Sequence, residues 1–345
     1  MTFNQFDIKF NRFKYIVEDS GIRVIKKSLF KSDEQSVAFE NIGSKIIKVK
    51  EKKRPWLIIS GLFFVLALTV FIDRLKGDKV GEGAEIFWLI ISAIFFIIYS
   101  IKGKNSVILF KDGKADGIEF MGTNLFEKRL NKFIDQLLQR RDEYLGKKYS
   151  FIDGLTADEN MICINAGVQL ADGLFLKNVT KHPIEKLIFE NEYSDVEKPG
   201  AICSMTTEKI AREMIATHRE RFIGEGKYIF ITRFSGDEYH VGLIASTNDP
   251  YKVMEFSETN GINYDIETKD IISKYKKWDQ QFGIKPVGIG FDFCECEIIN
   301  KDIDYKSLAE EVYEFCPDVV EQGTETVEHL EKEIKDTGRI FLWWD

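Results

Sequence analysis

The feature that most constrains this chain is a pair of long, uncharged apolar stretches close together in the sequence. They lie at residues 55–72 (PWLIISGLFFVLALTVFI) and 86–101 (IFWLIISAIFFIIYSI). A helix crossing the roughly 30 Å hydrocarbon layer of a membrane needs about 20 mostly apolar residues. Trp56, Trp88 and Tyr99 lie at or near the ends of the stretches, as is typical of membrane interfaces. The sequence therefore predicts a two-helix transmembrane hairpin.

Charges around the hairpin predict its orientation. The basic residues outside it are Lys45, Lys48, Lys50, Lys52, Lys53 and Arg54 before the first stretch, and Lys102 and Lys104 after the second. The connecting residues 73–85 mix three basic with four acidic side chains. Because basic residues favour the cytoplasmic side, both termini are predicted to be cytoplasmic, at a bacterial inner membrane. Neither stretch carries Asp, Glu, Lys, Arg or His, which disfavours a transporter or channel.

Short β-forming segments lie on both sides of the hairpin. Strands are predicted within residues 13–50 before it and within 107–121 after it. Asn124 and Glu127 then have the spacing of a capping box for an amphipathic helix that ends near Gly146. This order resembles the pleckstrin-homology-like (PH-like) barrel of some bacterial membrane proteins, with the hairpin inserted in a strand connection. The resemblance implies one small β-rich domain over residues 1–150.

Past Ser150 the pattern changes to alternating strand and helix segments. It predicts an α+β domain over residues 151–345, with a mixed sheet that carries helices on one face. Strands are predicted at 161–164 and 174–177, and one long strand at 285–298. The fold class is therefore a membrane-anchored α+β protein.

Composition narrows the partners and the compartment. The formal net charge is −8, with the acidic excess in the C-terminal half, which argues against a nucleic-acid partner. Five cysteines without the regular spacing of a disulfide scaffold predict reduced thiols in the cytosol. Cys294 and Cys296 share one strand face and are interpreted as small buried residues rather than a ligand pair. None of the four histidines has a metal-ligand or hydrolase spacing, so neither a metal nor a cofactor is predicted.

The last third of the chain contains five ordered motifs. They are TNGINYDI at 259–266 with DII at 270–272, GFD at 290–292, FCPD at 315–318, QG at 322–323 and LWWD at 342–345. Together they resemble the bacterial family known as domain of unknown function 4253, over residues 226–345. The family brings no established chemistry. Its usual members are soluble, so a hairpin in front of the domain suggests that this protein acts at the inner membrane.

Polar and aromatic residues of these motifs make up the candidate binding site. They are Asn260, Tyr264, Asp265, Asp292, Asp318, Gln322, Trp343, Trp344 and Asp345. Carboxylates gathered at one end of a sheet could bind a cation or a basic partner, or work as acid and base. The alternative is structural: Asp265 and Asp318 cap turns or helices, while the two indoles pack on either side of the last strand.

These observations favour a non-enzymatic binding protein of unknown ligand at the cytoplasmic face of the membrane. One concrete version is an immunity or defence-associated protein that recognises a toxin. The alternative is an enzyme that acts on a membrane-proximal substrate through the clustered aspartates. The predicted partners are the lipid bilayer and a protein, without nucleic acid, and self-association into a homo-oligomer stays open.

Overall fold

A computed structural model describes residues 1–6, 11–28, 30–49, 54–76, 83–101, 105–110, 117–120, 127–190 and 195–344. The chain divides into two compact units, Met1–Ser150 and Phe151–Asp345. This division falls where the sequence changes from strands around an apolar hairpin to alternating strands and helices.

The described part of the first unit contains two antiparallel sheets. One has the order β1 (Thr2–Phe6), β2 (Arg12–Val17), β3 (Gly21–Lys27) and β4 (Ser32–Ala38), and a 3-10 turn, Phe39–Asn41, follows it. The other has the order β5 (Ile42–Val49), β6 (Asn105–Phe110) and β7 (Ile118–Phe120). The hairpin therefore lies in the connection between two paired strands, β5 and β6.

A long helix, α3 (Glu127–Tyr149), supplies the core that both sheets cover. The Phe133 ring of α3 stacks on Phe3 of β1, with 4.9 Å between ring centroids, and lies edge-on to Phe120 of β7 at 6.0 Å. The Tyr15 hydroxyl donates to the Glu119 carbonyl at 2.7 Å and ties β2 to β7. The predicted capping residue Asn124 lies outside the described residues, and the helix runs past its predicted end at Gly146.

The two apolar stretches form helices α1 (Arg54–Leu75) and α2 (Ala84–Ile101), which pack against each other. Ser60 and Ser92 are both buried where the helices meet, and each hydroxyl donates to the other residue's carbonyl at 3.0 Å. The Phe63 ring stacks on Trp88 at 5.5 Å. One described helix, at Leu57–Leu75, is long and apolar enough to cross a membrane, and a second apolar segment, Ala84–Ile97, is shorter. The predicted basic residues at 50, 52, 53, 102 and 104 lie outside the described residues.

The described part of the second unit is built on a seven-stranded mixed sheet. Its order is β14 (Arg339–Trp343), β13 (Phe293–Ile298), β12 (Ile284–Ile289), β10 (Tyr228–Ser235), β11 (Glu238–Ile244), β9 (Asp195–Thr207) and β8 (Glu185–Glu190). The β10–β12 pair is parallel and the other neighbouring pairs are antiparallel. The mixed α+β architecture predicted for this part of the chain is confirmed.

Helices cover both faces of this sheet, so the prediction of helices on one face is wrong. Those on one face are α4 (Ala157–Ala166), α5 (Leu170–Thr180) and α6 (Glu208–Gly224). Those on the other are α7 (Pro250–Ser257), α8 (Thr268–Phe282), α9 (Tyr305–Phe315) and α10 (Val327–Thr337). The reason lies in strands such as β10, where consecutive residues from Tyr228 to Ile231 are all buried, as expected of a sheet covered on both sides.

Three predicted strands differ from the structure. Residues 161–164 and 174–177 belong to helices α4 and α5. Thr156 begins α4 with a capping box, because its hydroxyl accepts from the Glu159 N–H and the Glu159 carboxylate accepts from the Thr156 N–H at 2.7 Å. Short apolar runs cannot be assigned by periodicity alone. Residues 285–298 form two strands, because the Gly290 N–H donates to the Phe293 carbonyl at 3.0 Å and closes a turn.

Candidate functional site

Strands β10, β12 and β14 of the second unit end at the same edge of the sheet. Strand β10 is parallel to β12, and β14 is parallel to β12 because each of them is antiparallel to β13. A cavity of about 560 Å³ lies at this edge. Its walls include Thr232, Arg233 and Phe234 of β10, Asp292 of the β12–β13 turn, and Trp343 and Trp344 at the end of β14. We call it the C-edge pocket, since ligands of open sheets commonly bind beyond the carboxyl ends of parallel strands.

Two buried polar atoms belong to residues of the C-edge pocket. Thr232 is 2% exposed and Trp344 is 5% exposed. Neither Thr232 Oγ1 nor Trp344 Nε1 has a hydrogen-bond partner among the described residues. A buried polar atom without a partner costs about 1–3 kcal/mol, so such atoms are rare in folded proteins. The indole N–H can only donate, whereas the hydroxyl can donate or accept. Both residues therefore bring an unsatisfied polar group to the lining of the pocket. Each atom is itself shielded from solvent, so a ligand acceptor would reach it after a side-chain movement.

A β-bulge shapes the β10 wall of the pocket. The register between β10 and β11 shifts between Ile231 and Arg233, so Thr232 is the extra residue. Arg233 then lies opposite His240, with its Nη2 atom 3.3 Å from the Nε2 atom of the imidazole and 3.5 Å from its Nδ1 atom. Burial, followed by the Arg233 cation, lowers the pKa of His240 to about 4. At neutral pH the pair therefore carries one positive charge, on Arg233.

Hydrogen bonds to backbone carbonyls bring three of the five motifs together beneath Trp344. The Trp344 N–H donates to the Asp292 carbonyl at 3.0 Å, and the Thr259 hydroxyl donates to the Gly290 carbonyl at 2.6 Å. The Trp344 ring lies directly on Gly261, where a Cβ atom would stand 2.6 Å from the indole. Only glycine permits this approach, which accounts for its place between Asn and Ile in the first motif.

The other two motifs meet the first through Asp318. This carboxylate is 2% exposed and accepts hydrogen bonds from the Tyr264 hydroxyl and, at 3.0 Å, from Gln322 Nε2. The bond to Asp318, ahead of burial, raises the pKa of Tyr264 to about 12. Gly323 gives the Trp343 ring room, since a Cβ there would lie 2.7 Å from the indole. Gln322 and Gly323 belong to a π-helical turn, Val319–Thr324, between α9 and α10.

The structure places the sequence-predicted residues in three settings. Asp292, Trp343 and Trp344 line the C-edge pocket, and Tyr264, Asp318 and Gln322 form the hydrogen-bonded group just described. Asn260 and Asp265 line a separate open pocket of about 700 Å³. Asp265 has a φ of +56° at the end of the 3-10 turn Ile262–Tyr264. Asp345 lies outside the described residues.

Sequence reasoning missed the β10 side of the C-edge pocket. Thr232, Arg233 and Phe234 end an ordinary apolar strand, and no family-like motif includes them. The bulge that sets Thr232 apart depends on pairing with β11, so one strand's own sequence does not reveal it. A short polar interruption after a buried run was the signal available.

The described fold and pocket define the second unit as an α+β domain with a mixed sheet and a ligand-sized cavity at one edge. Residues 240–345 match a family model described as domain of unknown function (DUF4253). The match covers all five motifs, and the predicted resemblance of the C-terminal third is confirmed over these residues. No curated protein and no solved structure matches the chain.

Proposed function

We propose that this chain is a membrane-anchored binding protein whose second unit holds its ligand in the C-edge pocket. The observation that carries the proposal is the pair of buried polar atoms, Thr232 Oγ1 and Trp344 Nε1, in a pocket walled by Phe234, Trp343 and other aromatic rings. Ligand pockets typically combine apolar walls with a few placed polar groups. The ligand class that fits is an aromatic or apolar group carrying a hydrogen-bond acceptor.

The outer surfaces of α1 and α2 support the membrane anchor. Their large apolar side chains are extensively exposed; Ile58 is 62% and Leu62 is 61% exposed on α1, and Phe87 is 57% exposed on α2. Such a surface requires an apolar environment. Two antiparallel sheets with one closing helix also support a PH-like domain with the hairpin inserted between β5 and β6. The basic residues on both flanks favour cytoplasmic termini, which would put the C-edge pocket on the cytoplasmic side.

The anchor predicts where the protein is found in bacterial cells. Full-length protein should sediment with membranes and stay there in alkaline carbonate, because α1 and α2 hold it by apolar burial. A variant with residues 55–101 replaced by a Gly-Ser linker should move to the soluble fraction. A reporter that is active only in the periplasm, fused after Asp345, should be silent. Carbonate extraction of the full chain would contradict the anchor, and an active reporter would contradict the topology.

The pocket predicts a defined effect of Thr232→Val, which removes the hydroxyl and keeps the shape. Benzamide, benzoate and toluene are suitable probes, and binding to detergent-solubilised full-length protein can be measured by saturation-transfer NMR. Benzamide or benzoate should bind better than toluene, which has no acceptor. Thr232→Val should weaken that binding about two- to tenfold, because one hydrogen bond contributes about 0.5–1.5 kcal/mol net.

Thr206→Val is the matched control. Thr206 of β9 is 4% exposed, and its Oγ1 atom also has no hydrogen-bond partner among the described residues, but it does not line the pocket. Its replacement should leave probe binding unchanged. Equal effects of the two variants, or tighter binding of toluene than of benzamide and benzoate, would rule out a polar ligand in this pocket.

The narrower predictions about biological role remain predictions. A toxin as the ligand, with the chain as its immunity protein, would require a toxin gene beside this gene and toxin sensitivity after its deletion. The enzymatic alternative relied on clustered aspartates. Asp318 is a buried hydrogen-bond acceptor and Asp265 lies in a turn. Among the candidate aspartates in the described part of the chain, Asp292 borders the C-edge pocket.

A further inference from the structure

We propose that Glu185, Cys203 and His240 form a binding site for a first-row transition metal ion such as Zn²⁺. This site is distinct from the ligand site proposed above. One potential ligand atom from each residue lies within 4.8 Å of the other two. Cys203 is 3% exposed and His240 is 7% exposed, whereas Glu185 is exposed on the edge strand β8.

Strand register explains why three residues so far apart in sequence meet. Glu185 of β8 is directly opposite Cys203 of β9. His240 of β11 is opposite Met205, two residues along β9 from Cys203. Residues two apart on a strand share a face, and diagonal neighbours on adjacent strands are within reach of long side chains. The three side chains therefore lie on one face of three strands that are neighbours in the sheet, β8, β9 and β11.

The donor set determines the class of ion. An imidazole nitrogen, a thiolate sulfur and a carboxylate oxygen suit Zn²⁺ and its first-row neighbours, while Ca²⁺ and Mg²⁺ require oxygen ligands. Zinc–ligand bonds of about 2.0–2.3 Å bring donor atoms closer together than 4.8 Å, so binding requires a small inward movement. Glu185 is the exposed member of the group, so its side chain has the most room to move, while Cys203 and His240 are held by burial. Three protein ligands leave a fourth position for water or another ligand.

Arg233 contacts His240 without blocking its lone pairs. Its Nη2 atom is almost equally far from the two ring nitrogens, at 3.3 Å and 3.5 Å. In the plane of the ring such a position would overlap the Cε1 atom, so the guanidinium nitrogen lies over the ring face. The in-plane lone pair stays directed away from Arg233. Glu185 and the Cys203 thiolate would together neutralise a divalent ion. The Cys203 thiol, whose Sγ atom donates to the Lys186 carbonyl at 3.4 Å, would release its proton on binding.

Cobalt titration tests the site. Full-length protein without an affinity tag, solubilised in detergent and stripped with a chelator, should bind one Co²⁺ per chain. A thiolate-to-cobalt charge-transfer band should appear in the near ultraviolet, and Zn²⁺ should abolish it by displacement. Cys203→Ser should remove the band. Glu185→Gln should weaken binding by about tenfold or more, since loss of even an outer partner of a metal site costs about 10–100-fold.

Cys163→Ser is the matched control, because Cys163 is equally buried but lies on α4, outside this group. The band should persist in that variant. If Cys203→Ser fails to fold, Glu185→Gln on the exposed edge strand decides the question. The proposal is overturned if the wild-type chain binds no Co²⁺, if the band survives in Cys203→Ser, or if Glu185→Gln binds Co²⁺ as tightly as the wild type.

Discussion

Replacing Trp344 with alanine should lower the free energy of unfolding of the second unit by about 3–5 kcal/mol, the usual loss for a large buried aromatic. The Trp344 side chain is 5% exposed, lies on Gly261 and meets the Phe315 ring edge-on at 6.1 Å. Its removal would leave a cavity between the sheet and the α7–α10 layer. The change is measured by urea unfolding of full-length protein, with hydrogen exchange in peptides from β13 and β14 as the readout of the second unit.

Ile262→Ala serves as the control for this experiment. Ile262 belongs to the turn beside Gly261 but is 77% exposed, so its truncation should change stability by less than about 0.5 kcal/mol. If Trp344→Ala were equally harmless, β14 would not be integral to the sheet. The aromatic wall that Trp343 and Trp344 give to the C-edge pocket would then be wrong as well.

Glu295→Ala should destabilise the second unit by about 3 kcal/mol, because it leaves cations without their buried partner. Glu295 of β13 is 4% exposed and accepts from Arg212 of α6 at 2.7 Å, with Arg339 of β14 at 3.7 Å. The Arg212 side chain is 23% exposed, so water solvates it partly and the loss falls at the low end of the range for buried pairs. The same unfolding measurement reports the result.

The same arginine provides the comparison. Arg212 also pairs with Glu208 at 2.7 Å, one helical turn away, where the Glu208 side chain is 51% exposed. Glu208→Ala should cost only about 0.3–0.5 kcal/mol, as is usual for a helix-surface pair. Two replacements around one cation should therefore differ several-fold. A similar small loss from both would mean that Glu295 is solvated and that α6 is not held to β13 as described.

Sequence patterns predicted the elements whose signals are local. Uninterrupted apolar runs predicted α1 and α2. The Asp249–Pro250 pair is likewise a local helix-start signal for α7, where the Asp249 side chain accepts from the Tyr251 N–H at 2.9 Å. Strand β9 was missed because Pro199 and Gly200 interrupt it, and such residues usually mark a turn. Its strand conformation comes from pairing with β8 and β11, which lies outside any local window.

The candidate site was predictable only where motifs marked it. Asp292, Trp343 and Trp344 come from such motifs, and the sheet brings them to one edge. Thr232 and Arg233 depend on a bulge between two strands, and Cys203 and His240 depend on the alignment of β9 with β11. Asp318 was a candidate site residue, with the capping of a turn or helix as the alternative, and its carboxylate accepts from the Tyr264 hydroxyl, 54 positions away in sequence. Pairing and tertiary packing decide such details.

The parallel pairing of β10 with β12 has a consequence for how the second unit assembles. The Ile231–Gly288 register joins β10 to β12 across an intervening β11, α7 and α8, so closing it requires ordering a long loop first. Parallel pairs are also slightly weaker per residue than antiparallel ones. The C-edge pocket lies across this β10–β12 pairing, with Thr232 on the β10 side and Asp292 on the β12 side. A ligand bound there would contact both the β10 and the β12 side and oppose their separation. Occupancy of the pocket would therefore slow the unfolding of β12–β14 as a group.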